Sequence, residues 1–330
     1  MAPPLVDSFG RVHDNLRVSV TDRCNVRCFY CMPETEVRFV KRGEILDFEE
    51  IERFARIAAG LGITKLRVTG GEPLLRRGLP SLIRGLASIP GIADLALTTN
   101  GVLLSELAAP LYDAGLRRIN VHLDTLDRER FVRITRRDEL GRVLAGIEAA
   151  RRLGYRIKLN AVAVKNLVEP DIAPLARYAR ENGYEARFIE FMPLDAQNLW
   201  DRSKVLLADD IIETLSREIA PLDPVPDPDP RAPASEYAYA DGGGRVGFIA
   251  SVSKPFCLNC NRLRLTADGK LRYCLFALEE DDVKTPMRAG ASDEEIANLI
   301  RRNAAGKWEG HEINSSRFVA PPRPMYAIGG

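Results

Sequence analysis

Histidine is nearly absent: His13, His122 and His311 are the only three in 330 residues, and none stands at the spacing of a partner to a cysteine pair. A closed zinc site takes four ligands, so this scarcity weighs against one. Net charge is scarce too, at +1, and gives no global pull toward nucleic acid or a membrane surface. Long apolar runs are missing, none approaching the roughly 18 residues of a membrane-spanning helix. The N-terminal MAPPLVDSFGRVHD lacks the apolar centre of a signal peptide. The expected location is cytoplasmic, with no nucleic acid and no membrane among the partners. There, six cysteines are more readily metal ligands or catalytic thiols than disulfides.

What cysteine there is comes in two groups of three. TDRCNVRCFYCMP places Cys24, Cys28 and Cys31 within eight positions, with Tyr30 just before the last. Far downstream, CLNC supplies Cys257 and Cys260, and YCLF supplies Cys274. Neither group has a fourth thiol. An iron–sulfur cubane on three thiolates keeps one iron with an open coordination position, a seat for something else. Spacing alone also admits a structural zinc for the second triplet, if a histidine completed it, or unligated buried thiols.

The chain between them has a strand–helix rhythm. LRVSV, TKLRVTGGEP, ADLALTTNG, RRINVHLD, YRIKLNAVAV and EARFIEFMP read as strands. DFEEIERFARIAAGLG, SELAAPLYDAG, ELGRVLAGIEAARRLG and DIAPLARYARENG read as helices, the first capped by Asp47 with Glu50. Six such units predict an α/β fold with a parallel sheet, either an open doubly wound sheet or a partial (βα) barrel. Then PLDPVPDPDPRAPASEYAYADGGG packs six prolines between 221 and 233 and reads as a linker or mobile loop without helix or strand. A boundary near 225 divides the chain into 1–225 and 226–330. Beyond it, RVGFIAS reads as a strand, NRLRLTADGKLRYCLF as a hairpin turning at Asp268-Gly269, and SDEEIANLIRRNAAG as a helix with a Ser292/Glu295 capping box.

In (βα) architectures chemistry collects at the C-terminal ends of the strands. There lie the first cysteines, Thr69-Gly70-Gly71-Glu72-Pro73, Thr98-Thr99-Asn100-Gly101, His122 with Asp124, and Met192-Pro193. Singly, the glycine motifs are turns and Met192 is core filler; together they share one face. Arg17, Arg67 and Lys158 interrupt apolar strands, and an inward cation is costly unless it meets an anion. Arg76-Arg77, Arg117-Arg118, Arg136-Arg137 and Arg151-Arg152 flank helices and turns and read as surface.

The C-x3-C-x2-C loop followed by a strand and GGEP resembles the radical S-adenosylmethionine (SAM) enzymes. DRCNVRCFYCMP, LRVTGGEPLLR, LTTNG, INVHLDTL, RFIEFMP, FCLNCNRLRLTADGKLRYCLF and the terminal Gly-Gly narrow the resemblance, from about Leu16 to Gly330, to the GTP 3′,8-cyclases of molybdenum cofactor biosynthesis. That resemblance implies an incomplete (βα)6 TIM-type barrel in 1–225 with a [4Fe–4S] cluster on Cys24, Cys28 and Cys31. It implies an α+β extension in 226–330 with a second cluster on Cys257, Cys260 and Cys274.

SAM would bind the open iron of the first cluster and be cleaved to a 5′-deoxyadenosyl radical. Gly71 would hold its methionyl end, and Tyr30 and Met192 would bracket its adenine. His122 stands where the family usually has serine and is kept as a SAM contact. GTP would meet Arg17, Arg67, Thr98, Lys158, Arg262, Leu263 and Arg264, with its purine at the second cluster. Gly329 and Gly330 would reach into the site and act there with Arg17, Arg262 and Arg264. The same resemblance implies a flavodoxin- or ferredoxin-like electron donor, the next enzyme of the pathway (cyclic pyranopterin monophosphate synthase) as a partner, and admits a homodimer. Rival readings are a radical SAM enzyme modifying peptide or tRNA, an electron-transfer protein, which would want four cysteines per cluster, and a binding protein with structural zincs.

Overall fold

Six stretches become strands: β1 (Asn15–Ser19), β2 (Lys65–Thr69), β3 (Asp94–Thr99), β4 (Arg118–His122), β5 (Arg156–Ala163) and β6 (Glu185–Glu190). The computed structural model describes residues 4–226 and 229–330; residues 1–3 of the N-terminal stretch and 227–228 of the expected linker lie outside the described residues. Each strand pairs in parallel with the next. The crossovers carry α1 (Phe48–Gly60), α2 (Leu79–Ala87), α3 (Leu104–Asp113), α4 (Arg128–Thr135), α5 (Leu140–Arg152) and α6 (Ile172–Glu181). α1 starts at the expected capping box: Glu50 N donates to Asp47 Oδ1 at 2.7 Å and Asp47 N to Glu50 Oε2 at 2.8 Å. Such a cap contributes about 0.5–2 kcal/mol.

Side-chain alternation explains why the interior is available for chemistry. On β1, Leu16 and Val18 are buried in the hydrophobic core, whereas Asn15 and Arg17 face the barrel interior. Period-two alternation therefore sends apolar groups outward and polar groups inward, leaving a hollow centre.

After α7 (Ala208–Glu218) come β7 (Leu222–Pro224), β8 (Ser235–Tyr239), β9 (Arg245–Ile249), β10 (Arg262–Leu265), β11 (Lys270–Arg272) and β12 (Asp281–Asp282), then α8 (Lys284–Arg288), α9 (Asp293–Ala305) and α10 (Met325–Ile328). Among the described residues the twelve strands form one sheet in the order β12-β11-β10-β1-β2-β3-β4-β5-β6-β9-β8-β7. β10 lies parallel on β1 and β9 parallel on β6, so the C-terminal region lengthens the parallel run at both edges. β9 and β10 stand apart in that order, and the barrel stays open between them. The fold is α/β, a partial TIM-type barrel with a C-terminal extension. The hairpin at Asp268-Gly269 and the Ser292/Glu295 capping box are present as expected. α9 rests on α1, where Arg53 Nε meets Asp293 Oδ1 at 2.8 Å.

One expectation fails. The proline-rich stretch holds β7 and β8, an antiparallel pair at the sheet edge. An edge position leaves one row of backbone groups unpaired, which is where proline does no harm to a ladder. Between the two strands, Asp229 and Arg231 lie against the barrel floor. Asp229 Oδ2 meets Lys65 Nζ at 2.6 Å, and Arg231 Nη1 meets Asp14 Oδ2 at 3.0 Å, at the N-terminal ends of β2 and β1.

Candidate active site

The first three thiols lie on the loop leaving β1. Its turn is closed by Cys31 N and Met32 N, each donating to Cys28 O at 2.9 Å. Arg27 N and Phe29 N anchor it to the end of α4 through Thr135 O and Ile134 O. On the other side it leans on the Gly70-Gly71 pair. Gly71 N donates to Thr21 O and Glu72 N to Arg23 O, both at 2.7 Å. A Cβ on Gly71 would lie 2.4 Å from Arg23 O, and one on Gly70 2.6 Å from Thr21 O. Glycine is required at both positions because two backbones pass too closely for any side chain. Glu72 is fully buried and fixes the neighbouring strand end, accepting from Leu74 N, Thr99 Oγ1 and Asn100 N at 2.6–2.9 Å. Burial pushes its carboxyl up to about 7 despite those donors.

Burial also dominates the three thiols. It raises Cys24, with help from Glu72, to about 11, and Cys31, next to Cys24, to about 12; Cys28 is pushed well above its ordinary value. Neutral thiols in a desolvated loop wait for a cation to replace their protons.

The second triplet differs. Cys257 and Cys260 flank a single turn before β10, and Cys274 follows β11. Burial raises Cys257, and would raise Cys260, but Arg262 and Lys307 outweigh it and bring Cys260 down to about 5. All six thiols are free and line one cavity of about 490 Å³. Among the described residues no three His, Cys, Asp or Glu side chains converge tightly enough for a single metal ion. Three soft thiol donors in each group suit an iron–sulfur cluster.

Cations fill the space between. In register, Arg264, Arg17 and Arg67 stand side by side on β10, β1 and β2. Arg67 meets Asp94 at 3.0 Å. Arg17 has an Nε that is buried without a hydrogen-bond partner. Burial, then the neighbouring Arg264, Arg262 and Arg67, drive its guanidinium well below the ordinary value. Arg264, 5% exposed, is lowered to about 9 by burial and Arg262. Across the cavity Lys158 is held by Glu185 at 2.6 Å. Thr98, Met192 and Gly71 line the same cavity. Leu263 does not: it is 1% exposed in the core behind β10, because alternation turns it away from its two arginine neighbours.

The tail runs into the cavity. Arg264 Nη1 donates to Gly329 O at 2.8 Å, and Thr69 Oγ1 donates to Gly330 O. Gly329 has φ +91°, and a Cβ there would lie 2.6 Å from that of Ser19, so glycine is required twice over. Near the first triplet, Tyr30 OH donates to Asp124 Oδ2 at 2.5 Å and also contacts His122 Nε2, which lies 2.9 Å from the same carboxylate oxygen. Asp124 Oδ1 is held by Val162 N at 2.7 Å.

Three arginines read as surface are not. Arg136, its side chain 19% exposed, reaches Met32 O at 3.4 Å and Glu34. Arg118 lines the cavity and pairs with Asp94 at 2.5 Å; the first residue of a strand looks, in sequence, like the end of a turn. Arg76 reaches Val20 O and Leu46 O at 2.8 and 2.7 Å and ties loops together. Missed altogether were Lys65 and Arg187, which also line the cavity. Arg187 interrupts β6 as Arg17 interrupts β1, so the signal was there.

Residues 18–179 match the Radical SAM superfamily and 184–313 match Molybdenum Cofactor Synthesis C. The chain is 48% identical over 330 residues to the GTP 3′,8-cyclase of Rhodopirellula baltica, covering 99% of this chain and 92% of the relative. It is 47% identical over 334 residues to GTP 3′,8-cyclase 2 of Mycobacterium tuberculosis, with the same coverage. Among solved structures, Streptococcus suis SuiB superposes with TM-score 0.61 at 15% identity over 82% of this chain and 63% of that one. Methylornithine synthase gives 0.52 at 17% over 88% and 86%. The last two show the barrel alone. Near-complete coverage by the first two shows more: the chain belongs to the GTP 3′,8-cyclase family of radical SAM enzymes.

Proposed function

We infer that the protein is a GTP 3′,8-cyclase, a lyase of molybdenum cofactor biosynthesis. It joins C3′ of the GTP ribose to C8 of the guanine, giving (8S)-3′,8-cyclo-7,8-dihydroguanosine 5′-triphosphate. The observation that carries the residue assignments is the row Arg264–Arg17–Arg67. Three guanidiniums in register repel one another, and a polyanion entering among them removes that repulsion. Arg17, Arg67, Lys158, Arg262 and Arg264 are the groups proposed to hold GTP, with Thr98 adding a hydroxyl. The contact assigned to Leu263 can come only from its backbone.

The family uses a [4Fe–4S] cluster and SAM, which when bound supply the radical that takes hydrogen from C3′. Cys24, Cys28 and Cys31 would hold that cluster, and Gly71, Tyr30, His122 and Met192 would position SAM beside it. Cys257, Cys260 and Cys274 would hold a second cluster whose open iron receives the guanine. Gly329, fixed by Arg264, would keep the tail against the substrate. The wall of inward polar groups orients GTP, and the floor segment excludes water from below. We also propose that residues 1–225 and 226–330 divide these tasks, that a small flavodoxin- or ferredoxin-like protein supplies the electron, that the next pathway enzyme takes the product, and that the protein works in the cytoplasm. No helix among the described residues is long and apolar enough to cross a membrane.

The test is anaerobic reconstitution followed by turnover with GTP, SAM and reductant, alongside Cys274→Ser. The intact protein should carry about eight irons and form cyclised product; the variant should carry about half, still cleave SAM slowly, and form none. Full cyclase activity in Cys274→Ser would refute the substrate role of the second triplet.

A further inference from the structure

The second triplet rests against a cation that none of these roles employs. Lys307 follows α9 and is 4% exposed. Its Nζ donates to Arg262 O and to Tyr273 O, both at 2.8 Å, and to Cys260 Sγ at 3.4 Å. Three bonds are all that an ammonium can donate. The negative groups acting on it are the Cys260 and Cys274 sulfurs. A buried ammonium is costly unless anions and acceptors meet it, and here sulfur supplies the anion.

The three acceptors are spread over both arms that carry the ligands. Arg262 follows Cys260 by two residues, and Tyr273 immediately precedes Cys274. Cys260 accepts a second N–H···S bond from Arg262 Nη2 at 3.4 Å. At the first triplet one side-chain donor is a neutral amide, Asn100 Nδ2, 3.7 Å from Cys24 Sγ. The two sets of thiols therefore face unlike donors, the first an amide and the Tyr30 hydroxyl, the second an ammonium and a guanidinium.

We propose that Lys307 is a positioning residue of the second cluster, tying the Cys260 and Cys274 arms together and making that cluster easier to reduce. An added electron increases the negative charge on a cluster, and N–H donors and a nearby positive charge stabilise the reduced form. The assignment rests on the two-cluster reading above.

The full chain, reconstituted anaerobically, tests both separately. About four irons per chain would sink the two-cluster reading whatever Lys307 does. With about eight present, protein labelled with ¹⁵N only at lysine should show a nitrogen hyperfine coupling to the reduced second cluster, and no coupling overturns the proposal without any mutation. In Lys307→Gln the second cluster should reduce at a more negative potential and lose iron to a ferrous chelator about tenfold faster, with the first cluster unchanged. Lys307→Arg should restore both. Unchanged potential and iron loss in Lys307→Gln overturn the proposal.

Discussion

Arg17 shows what a single residue can tell. It was legible because it breaks an apolar strand, and the structure sets it between Arg264 and Arg67 with an unpartnered Nε. Arg17→Ala and Arg264→Ala should each weaken GTP binding by about 1.5–3 kcal/mol while iron content after reconstitution is unchanged. Without nucleotide Arg17→Ala should unfold no more easily than the parent, since repulsion is relieved; calorimetry and urea titration read the two effects. His122 makes a prediction with a sign. Burial would lower its imidazole, but Asp124 outweighs burial and raises it. A raised base stabilises the fold fully below its ordinary value of about 6.5, and the contribution fades as pH climbs through the raised one. His122→Ser should therefore cost the apoprotein about 1 kcal/mol at low pH and less above neutrality. A deficit that ignores pH would exclude Asp124 as the partner. Arg118 was illegible because strand ends and turns share the same charged residues, and only the sheet decides which way such a side chain faces.

The loop after β1 is an element whose shape comes from elsewhere. Its three cysteines could be read as ligands from spacing, but the purpose of GGEP could not. The backbone that crowds Gly70 and Gly71 belongs to Thr21 and Arg23, nearly fifty residues earlier, and no local pattern announces such a contact. Gly71→Ala should push that backbone away, loosen Cys24, and reduce the iron held by the first cluster after reconstitution. Gly141 in α5 is the control: it has an ordinary φ and nothing within 4 Å of an added Cβ. Gly141→Ala should leave iron content intact and stabilise the protein by up to about 1 kcal/mol in urea unfolding. Equal iron loss in both variants would show that close packing at Gly71 is not the reason for glycine there. Capping boxes, by contrast, were fully legible, because the residues that make one are three apart.

At the scale of the whole molecule, the six strands of residues 1–225 were legible and the two that flank them were not. Hydrophobic alternation marks β9 and β10 as strands but cannot say that they flank β6 and β1. The floor was misread for a related reason: six prolines suggest a free linker, and only the ion pairs of Asp229 and Arg231 make it a closure. A chain cut at residue 225 should lack partners for two strand edges and associate. Size-exclusion chromatography reads this, and a well-behaved monomer would show that the N-terminal barrel is self-sufficient. The same edges have a meaning in time. β1 is made first, yet its outer neighbour β10 ends at Leu265. At about 5–20 residues per second, the roughly 75 residues between the end of β6 and the end of β10 take some 4–15 s to synthesise. Throughout that interval the β1 margin of the nascent barrel stays live, and Arg17, Arg67 and the first thiols stand in water before the strands that enclose them exist.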